Sequence, residues 1–105
     1  MLSAKEIEKF TRYMDKDDRR LSIIFNALSD EKRCRIYRLF IKNRGNDLCV
    51  SDIAQIMKIS IPSASQHLKI LEITGLLQKQ RKGQKITFNL SQNDPVVSAL
   101  VKSVL

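Results

Sequence analysis

Residues 50–75, VSDIAQIMKISIPSASQHLKILEITG, constrain the fold of this 105-residue chain more than any other stretch. They predict two helices joined by a turn too short to let them part. Ser51 is placed to cap the first, whose apolar residues Ile53, Ala54, Ile56 and Met57 share one face before Lys58-Ile59-Ser60 breaks the period. Pro62 suits the first turn of the second, where a missing N–H costs little. Ala64, Leu68 and Leu71 then recur at i, i+4 and i+7, and Gly75 ends the run. A helix pair with this connection is a helix-turn-helix, whose second helix enters the DNA major groove.

The flanking segments supply a core for that pair. Ser3-Ala4-Lys5-Glu6 fits a capping box, followed by Ile7, Phe10 and Met14 on one helical face. The polar run 15–20, DKDDRR, is either a solvated link or an exposed helical segment, so Leu21, Ile24, Phe25 and Leu28 belong to a second helix or to a continuation of the first. Ser29 is expected to cap the next helix, with Asp30 and Glu31 in its first turn, Ile36, Leu39 and Phe40 inward, and Tyr37 and Ile41 beside them. Gly45-Asn46-Asp47 is a stop, and residues 48–50 an extended link. After Gly75 the period becomes two. Strands are expected over 76–81 and 85–90 around a Lys82-Gly83-Gln84 turn, with Ile86, Phe88 and Leu90 inward and Lys85, Thr87 and Asn89 outward. Asn93 or Asp94 caps a last helix with Pro95 in its first turn and an apolar stripe of Val97, Leu100, Val101 and Val104.

Composition narrows the partner. Nineteen Lys and Arg against eleven Asp and Glu give a net charge of +8, which suits a polyanion, with double-stranded DNA the first candidate. No apolar run approaches the roughly 18 residues of a membrane span, and Lys5, Glu6, Glu8 and Lys9 stand where a signal peptide needs an apolar block, so a cytoplasmic protein with no membrane partner is expected. No Ser/His/acid set, no paired inward carboxylates and, with three glycines, no phosphate-cradling loop point to catalysis. We therefore expect no enzyme activity, no cofactor and no obligatory small-molecule substrate.

The order of helices, helix-turn-helix, basic hairpin and terminal helix is a mainly α winged helix-turn-helix with a small β-hairpin and extra terminal helices. The chain resembles the ArsR/SmtB repressors through LSDEKRCRIYRLF (28–40), DLCVSDIAQIM (47–57), SIPSASQHLKILEITGLL (60–77) and RKGQKITFNL (81–90). The resemblance implies a homodimeric prokaryotic DNA-binding regulator, usually a repressor on an inverted-repeat operator that an inducer releases. It also implies a single domain 1–105 in which 1–28 and 93–105 dimerise around a winged-helix core at 29–90. The alternative from another class is a winged-helix protein-interaction module without specific DNA binding.

Short polar side chains at the front of a helix can reach base edges, so Ser63, Ser65 and Gln66 are the candidate readers, with Lys69 on phosphate. Ser60 and the helix N-terminus offer N–H groups to a phosphate. In the resembled family the positions of Ile61, Pro62, Ser63, Ser65 and Gln66 approach the bases. Ile61 departs from the usual glutamine there, and Pro62 from a frequent serine. Arg81, Lys82 and Lys85 on the hairpin are candidate phosphate or minor-groove contacts. Arg33, Arg35 and Arg38 are read as surface or structural charges.

Members of the resembled family often bind metal through cysteines near the start of the first reading helix, or through His and acidic residues on the terminal helix. Cys49 matches the first cysteine of the family's LCVC pattern, but Ser51 replaces the second, and the lone histidine, His67, lies inside the reading helix as a half-buried structural residue. A closed site wants three or four ligands, so no metal is expected. Cys49 and Cys34 are the candidate thiol sensors. Cys34 is flanked by Arg33 and Arg35, but its family position is an inward aliphatic one, which favours a small buried hydrophobe.

Overall fold

The computed structural model describes residues 1–104 and contains six helices and one hairpin among them: α1 (Ala4–Tyr13), α2 (Arg19–Leu28), α3 (Glu31–Lys42), α4 (Val50–Met57), α5 (Ile61–Ile73), β1 (Leu77–Lys82), β2 (Lys85–Leu90) and α6 (Pro95–Val104). The link is residues 15–18 of the DKDDRR run, and Arg19 and Arg20 open α2 as a separate helix. Asp17 closes the link by accepting the Arg19 N–H at 2.9 Å.

The caps follow side-chain chemistry. Ser3 and Glu6 exchange hydrogen bonds with each other's backbone N–H groups at 3.2 and 3.0 Å, the capping box expected for α1. At α3 the cap is Asp30, whose carboxylate accepts the Arg33 N–H at 3.0 Å, and not Ser29, whose hydroxyl turns back to the Asn26 carbonyl at the end of α2. At α4 the cap moves two residues upstream of the expected Ser51. Asp52 reaches back to the Cys49 N–H at 2.9 Å, which makes Cys49 the N-cap and draws Val50 into the first turn. Ser60 caps α5, accepting the Ser63 N–H at 3.2 Å.

The core is one cluster in which Ile24 of α2, Ile36, Tyr37, Phe40 and Ile41 of α3, and Ile53 and Ala54 of α4 surround Ala64, Leu68 and Leu71 of α5. Leu76, Leu77, Phe88 and Val97 close it from the hairpin and α6. Tyr37 and Ile41, expected at the flanks of α3, are fully in the core, while Leu39 is half-buried. Burial pushes the Tyr37 phenol up to about 12. Ile56 is also displaced from expectation, since it lies exposed on α4.

The strands pair antiparallel with Leu77 opposite Leu90 and Lys82 opposite Lys85, so the turn is the two residues Gly83-Gln84 and Lys82 belongs to β1. Gly83 has φ +64, a conformation that suits glycine in a two-residue hairpin turn. Leu48 extends the hairpin by one bridge, exchanging backbone hydrogen bonds with Phe88 at 3.0 and 2.7 Å. The alternation predicted for β2 fails at two places. Ile86 is exposed near the tip, and Thr87 is buried where the Asp47 carboxyl lies beside it.

At the other end of the chain Asp94 receives the Arg20 guanidinium of α2 and the Val96 N–H at 3.0 Å, which ties α6 to α2. Residues 1–23 are all exposed, and α1 buries none of its side chains. The molecule is accordingly elongated, 59 × 25 × 24 Å, with a radius of gyration of 17.4 Å. A compact chain of this length would have about 13 Å.

Truncating Leu68, which has no accessible surface, removes the centre of this cluster. Leu68→Ala is expected to lower the free energy of urea unfolding by about 2–5 kcal/mol with little change in m-value.

Candidate nucleic-acid interface

Burial of Ala64, Leu68 and Leu71 decides which side of α5 meets solvent. Ile61, Ser65 and Lys69, spaced at i, i+4 and i+8, are all exposed, with Pro62 and Gln66 exposed beside them. The structure therefore brings five of the sequence-predicted residues onto one outward face. Ser63 stands at its edge, half-buried, and the Ser60 hydroxyl is already engaged as the helix cap. The exposed front of this face is Ile61 and Pro62, apolar, followed by Ser65, Gln66 and Lys69.

The turn before α5 is sharp because Lys58 adopts φ 56 and ψ 47, the left-handed conformation that ends α4. The Ile59 N–H then donates to the Ala54 carbonyl at 3.0 Å, which closes the end of α4 one residue before the Ser60 cap of α5.

The hairpin stands beside this face as a wing with unequal cations. Arg81 and Lys85 are exposed and have no ion pair among the described residues. Lys82, expected to be equally available, donates to Asp47 Oδ2 at 2.6 Å. Asn89 Nδ2 donates to the other oxygen of Asp47 at 2.8 Å. One carboxylate in the loop before α4 thus holds both strands, and the Leu48–Phe88 bridge continues the attachment. The Lys82 ammonium, then the Asn89 amide, hold the Asp47 carboxyl below the usual carboxylate range. Sequence reasoning missed this clamp because its partners lie 35 and 42 residues away. A turn aspartate carries no signal of such distant contacts.

Neither cysteine forms a disulfide. Cys34 is exposed on α3, contrary to the buried position expected, because its side of the helix faces away from Ile36, Tyr37 and Phe40. Cys49 is half-buried at the α4 cap, where its Sγ–H donates to Asp52 Oδ2 at 3.1 Å and Sγ lies 3.0 Å from the Ser51 hydroxyl. Among the described residues no three His, Cys, Asp or Glu side chains group as a metal site would. His67 is half-buried, as expected. Arg33 donates to the Ala27 carbonyl at 2.9 Å, a structural role that joins α2 to α3.

A two-helix reading element with a pinned hairpin wing, flanked by helices at both ends, defines a winged helix-turn-helix protein. Comparison with known proteins agrees. A family model for bacterial regulatory proteins of the arsR family matches residues 30–79. The transcriptional repressor SdpR of Bacillus subtilis is 40% identical over 68 residues, covering 65% of this chain and 72% of SdpR. The arsenic resistance transcriptional regulator ArsR1 of Pseudomonas putida is 34% identical over 84 residues, 79% of this chain but only 64% of ArsR1's own length. The solved structure of HlyU from Vibrio cholerae superposes with a TM-score of 0.72 over 85% of this chain and 91% of HlyU, at 24% identity. The chain belongs to the arsR family of bacterial regulatory proteins.

The Asp47 clamp has a pH signature. Because its carboxyl is held low in the folded chain, its contribution is fully present above the ordinary carboxylate pKa and is lost as pH falls through the depressed one. Asp47→Ala is expected to lower the amide protection factors of β1 and β2 near pH 7 to the values the native hairpin reaches only in acid, and to leave α5 protected.

Proposed function

We propose that this protein is a dimeric, sequence-specific DNA-binding transcriptional regulator of the ArsR/SmtB type. On this reading it is a repressor that works in the cytoplasm on an inverted-repeat operator. The observation that carries the proposal is the outward face of α5, where Ser65, Gln66 and Lys69 stand exposed behind a capped N-terminus while the opposite stripe is sealed in the core. A protein that reads base edges needs that geometry: a rigid helix, short polar side chains at its front, and backbone N–H groups and cations around it for phosphate. Gln66 and Ser65 are assigned base contacts, with Ser63 at the edge of the contact. Ile61 and Pro62 offer apolar contact, such as with a thymine methyl. Ser60, Lys69, Arg81 and Lys85 are assigned to phosphate, and Lys82 joins them only by leaving Asp47.

The helical ends, 1–28 and 93–105, are assigned to dimerisation around the core at 29–90. Residue 105 lies outside the described residues. Exposed Ile7, Phe10, Ile23 and Phe25 support this assignment, since a monomer would leave all four wet. A two-fold dimer presents two α5 helices to half-sites about 34 Å apart, hence the inverted repeat. SdpR is named a repressor, which supports that sign of regulation. We assign no metal. Cys34 and Cys49 remain the candidate thiol sensors, Cys34 for its exposure between Arg33 and Arg35.

Binding to duplexes from the protein's own promoter region, followed by fluorescence anisotropy, tests the reading. Affinity is expected to fall steeply and linearly in log–log form with salt. A flat salt profile, or equal affinity for every duplex, contradicts the proposal. Gln66→Ala is expected to reduce discrimination between operator and mutated operator by about 1–3 kcal/mol. Arg81→Ala should instead weaken binding to all sequences and make the salt slope shallower by about one.

A further inference from the structure

Lys82 and Lys85 stand directly opposite each other at the tip of the hairpin, and Arg81 adjoins Lys82. Like charges placed across a strand pair repel and weaken it. Among the described residues only Asp47 forms an ion pair with any of the three, its Oδ2 accepting from Lys82 Nζ at 2.6 Å. The two halves of that pair are unequal. The Asp47 side chain is 20% accessible and the Lys82 side chain 63%. Asp47 is also held from its other oxygen by Asn89 Nδ2 at 2.8 Å, with buried Thr87 beside it. The carboxylate is therefore fixed by the fold, and the ammonium is the solvent-facing half on a flexible stem.

A neutralised cation acts on DNA differently from a free one. At a distance Lys82 and Asp47 form a dipole, whose field falls away faster than that of a single charge, and salt screens what is left within about 8–10 Å. Arg81 and Lys85 attract a polyanion over that range, and Lys82 adds little to them. At contact the balance changes, because a phosphate offers the ammonium the same charged oxygen acceptors that Asp47 does. Taking the ammonium over requires the wing to be held against the DNA backbone. A seated α5 holds it there, and a sliding encounter does not.

We propose that Asp47 is a specificity residue that acts through Lys82: its carboxylate stands in for a DNA phosphate, keeps the third wing cation out of non-specific complexes, and yields it once α5 is seated on the operator. This rests on the DNA-reading proposal above and adds to it a phosphate contact made only in the specific complex. Asp47 discriminates by lowering affinity for wrong sequences, not by touching a base in the right one.

A double-mutant cycle on duplex binding, read by fluorescence anisotropy over a range of salt, tests the exchange. Asp47→Asn removes the charge and keeps an acceptor for Asn89. It is expected to raise affinity for a scrambled duplex by about threefold or more, to steepen that duplex's salt slope by about one, and so to shrink the ratio of operator to scrambled affinity. In a Lys82→Ala background the same change should do none of these. A gain that persists without Lys82 means that the carboxylate only repels DNA, and overturns the proposal, as does no gain at all. The native protein supplies a second readout that needs no variant. The carbon-13 resonance of the Asp47 carboxyl is expected to move when operator is added and to stay at its free position with the scrambled duplex. A carboxyl that stays put with operator, or moves equally with both, contradicts the exchange. If native protein discriminates between duplexes while these tests fail, the reading of α5 stands and the role of Asp47 is removed; if it binds every duplex alike, both are overturned.

Discussion

The seal formed by Ala64, Leu68 and Leu71 against α3 and α4 is the contact on which the rest of the structure depends. All three have no accessible surface. Once that stripe is inside, the helical period leaves only one side of α5 for Ser65, Gln66 and Lys69, and no rotation of the helix can change it without exposing leucine. Local chemistry fixes where the helix starts. Ser60 caps it, and Lys58 turns the chain through the left-handed region so that α5 leaves α4 at once. Reading and core packing are thus two faces of the same thirteen residues.

Around that element the fold uses two carboxylates as ties. Asp47 holds the wing to the loop that enters α4, and Asp94 holds α6 to α2. Each serves several donors, and each is held below the usual carboxylate range chiefly by its cation, Lys82 in one case and Arg20 in the other. Surface ion pairs contribute little alone. Here their effect is geometric, because they join elements whose sequence separation leaves them otherwise loosely connected. The wing's cations are sorted by the first tie. Lys82 is spent on structure, and Arg81 and Lys85 are left for a polyanion.

Most of the fold was legible because its signals are local. Helical stripes, the Ser3 cap, Pro62, and the glycines at 75 and 83 each act within four residues of themselves, and the elements they predict are present. Errors arose where two local donors or acceptors compete. Asp30 outbids Ser29 at α3, and Asp52 makes Cys49 the cap in place of Ser51. The remaining errors came from distant contacts. Thr87 is buried beside Asp47, Lys82 is neutralised by it, and Cys34 is exposed because α3 presents Ile36, Tyr37 and Phe40 to the core. Ser65, Gln66 and Lys69 were legible from side-chain type and the helical period, and Ile61 and Pro62 only through the family resemblance. Their availability was not, since it depends on which neighbours the fold brings near.

Chemical-shift mapping of the nitrogen-15-labelled protein against an operator duplex would test the central claim most directly. The account predicts that the largest perturbations fall on residues 60–69 and 81–85, with a smaller set at the helix pair's turn, and that a scrambled duplex leaves the Gln66 side-chain amide where it is in the free protein. Perturbations concentrated on α3 and the outer side of α2, with the α5 face silent, would contradict it.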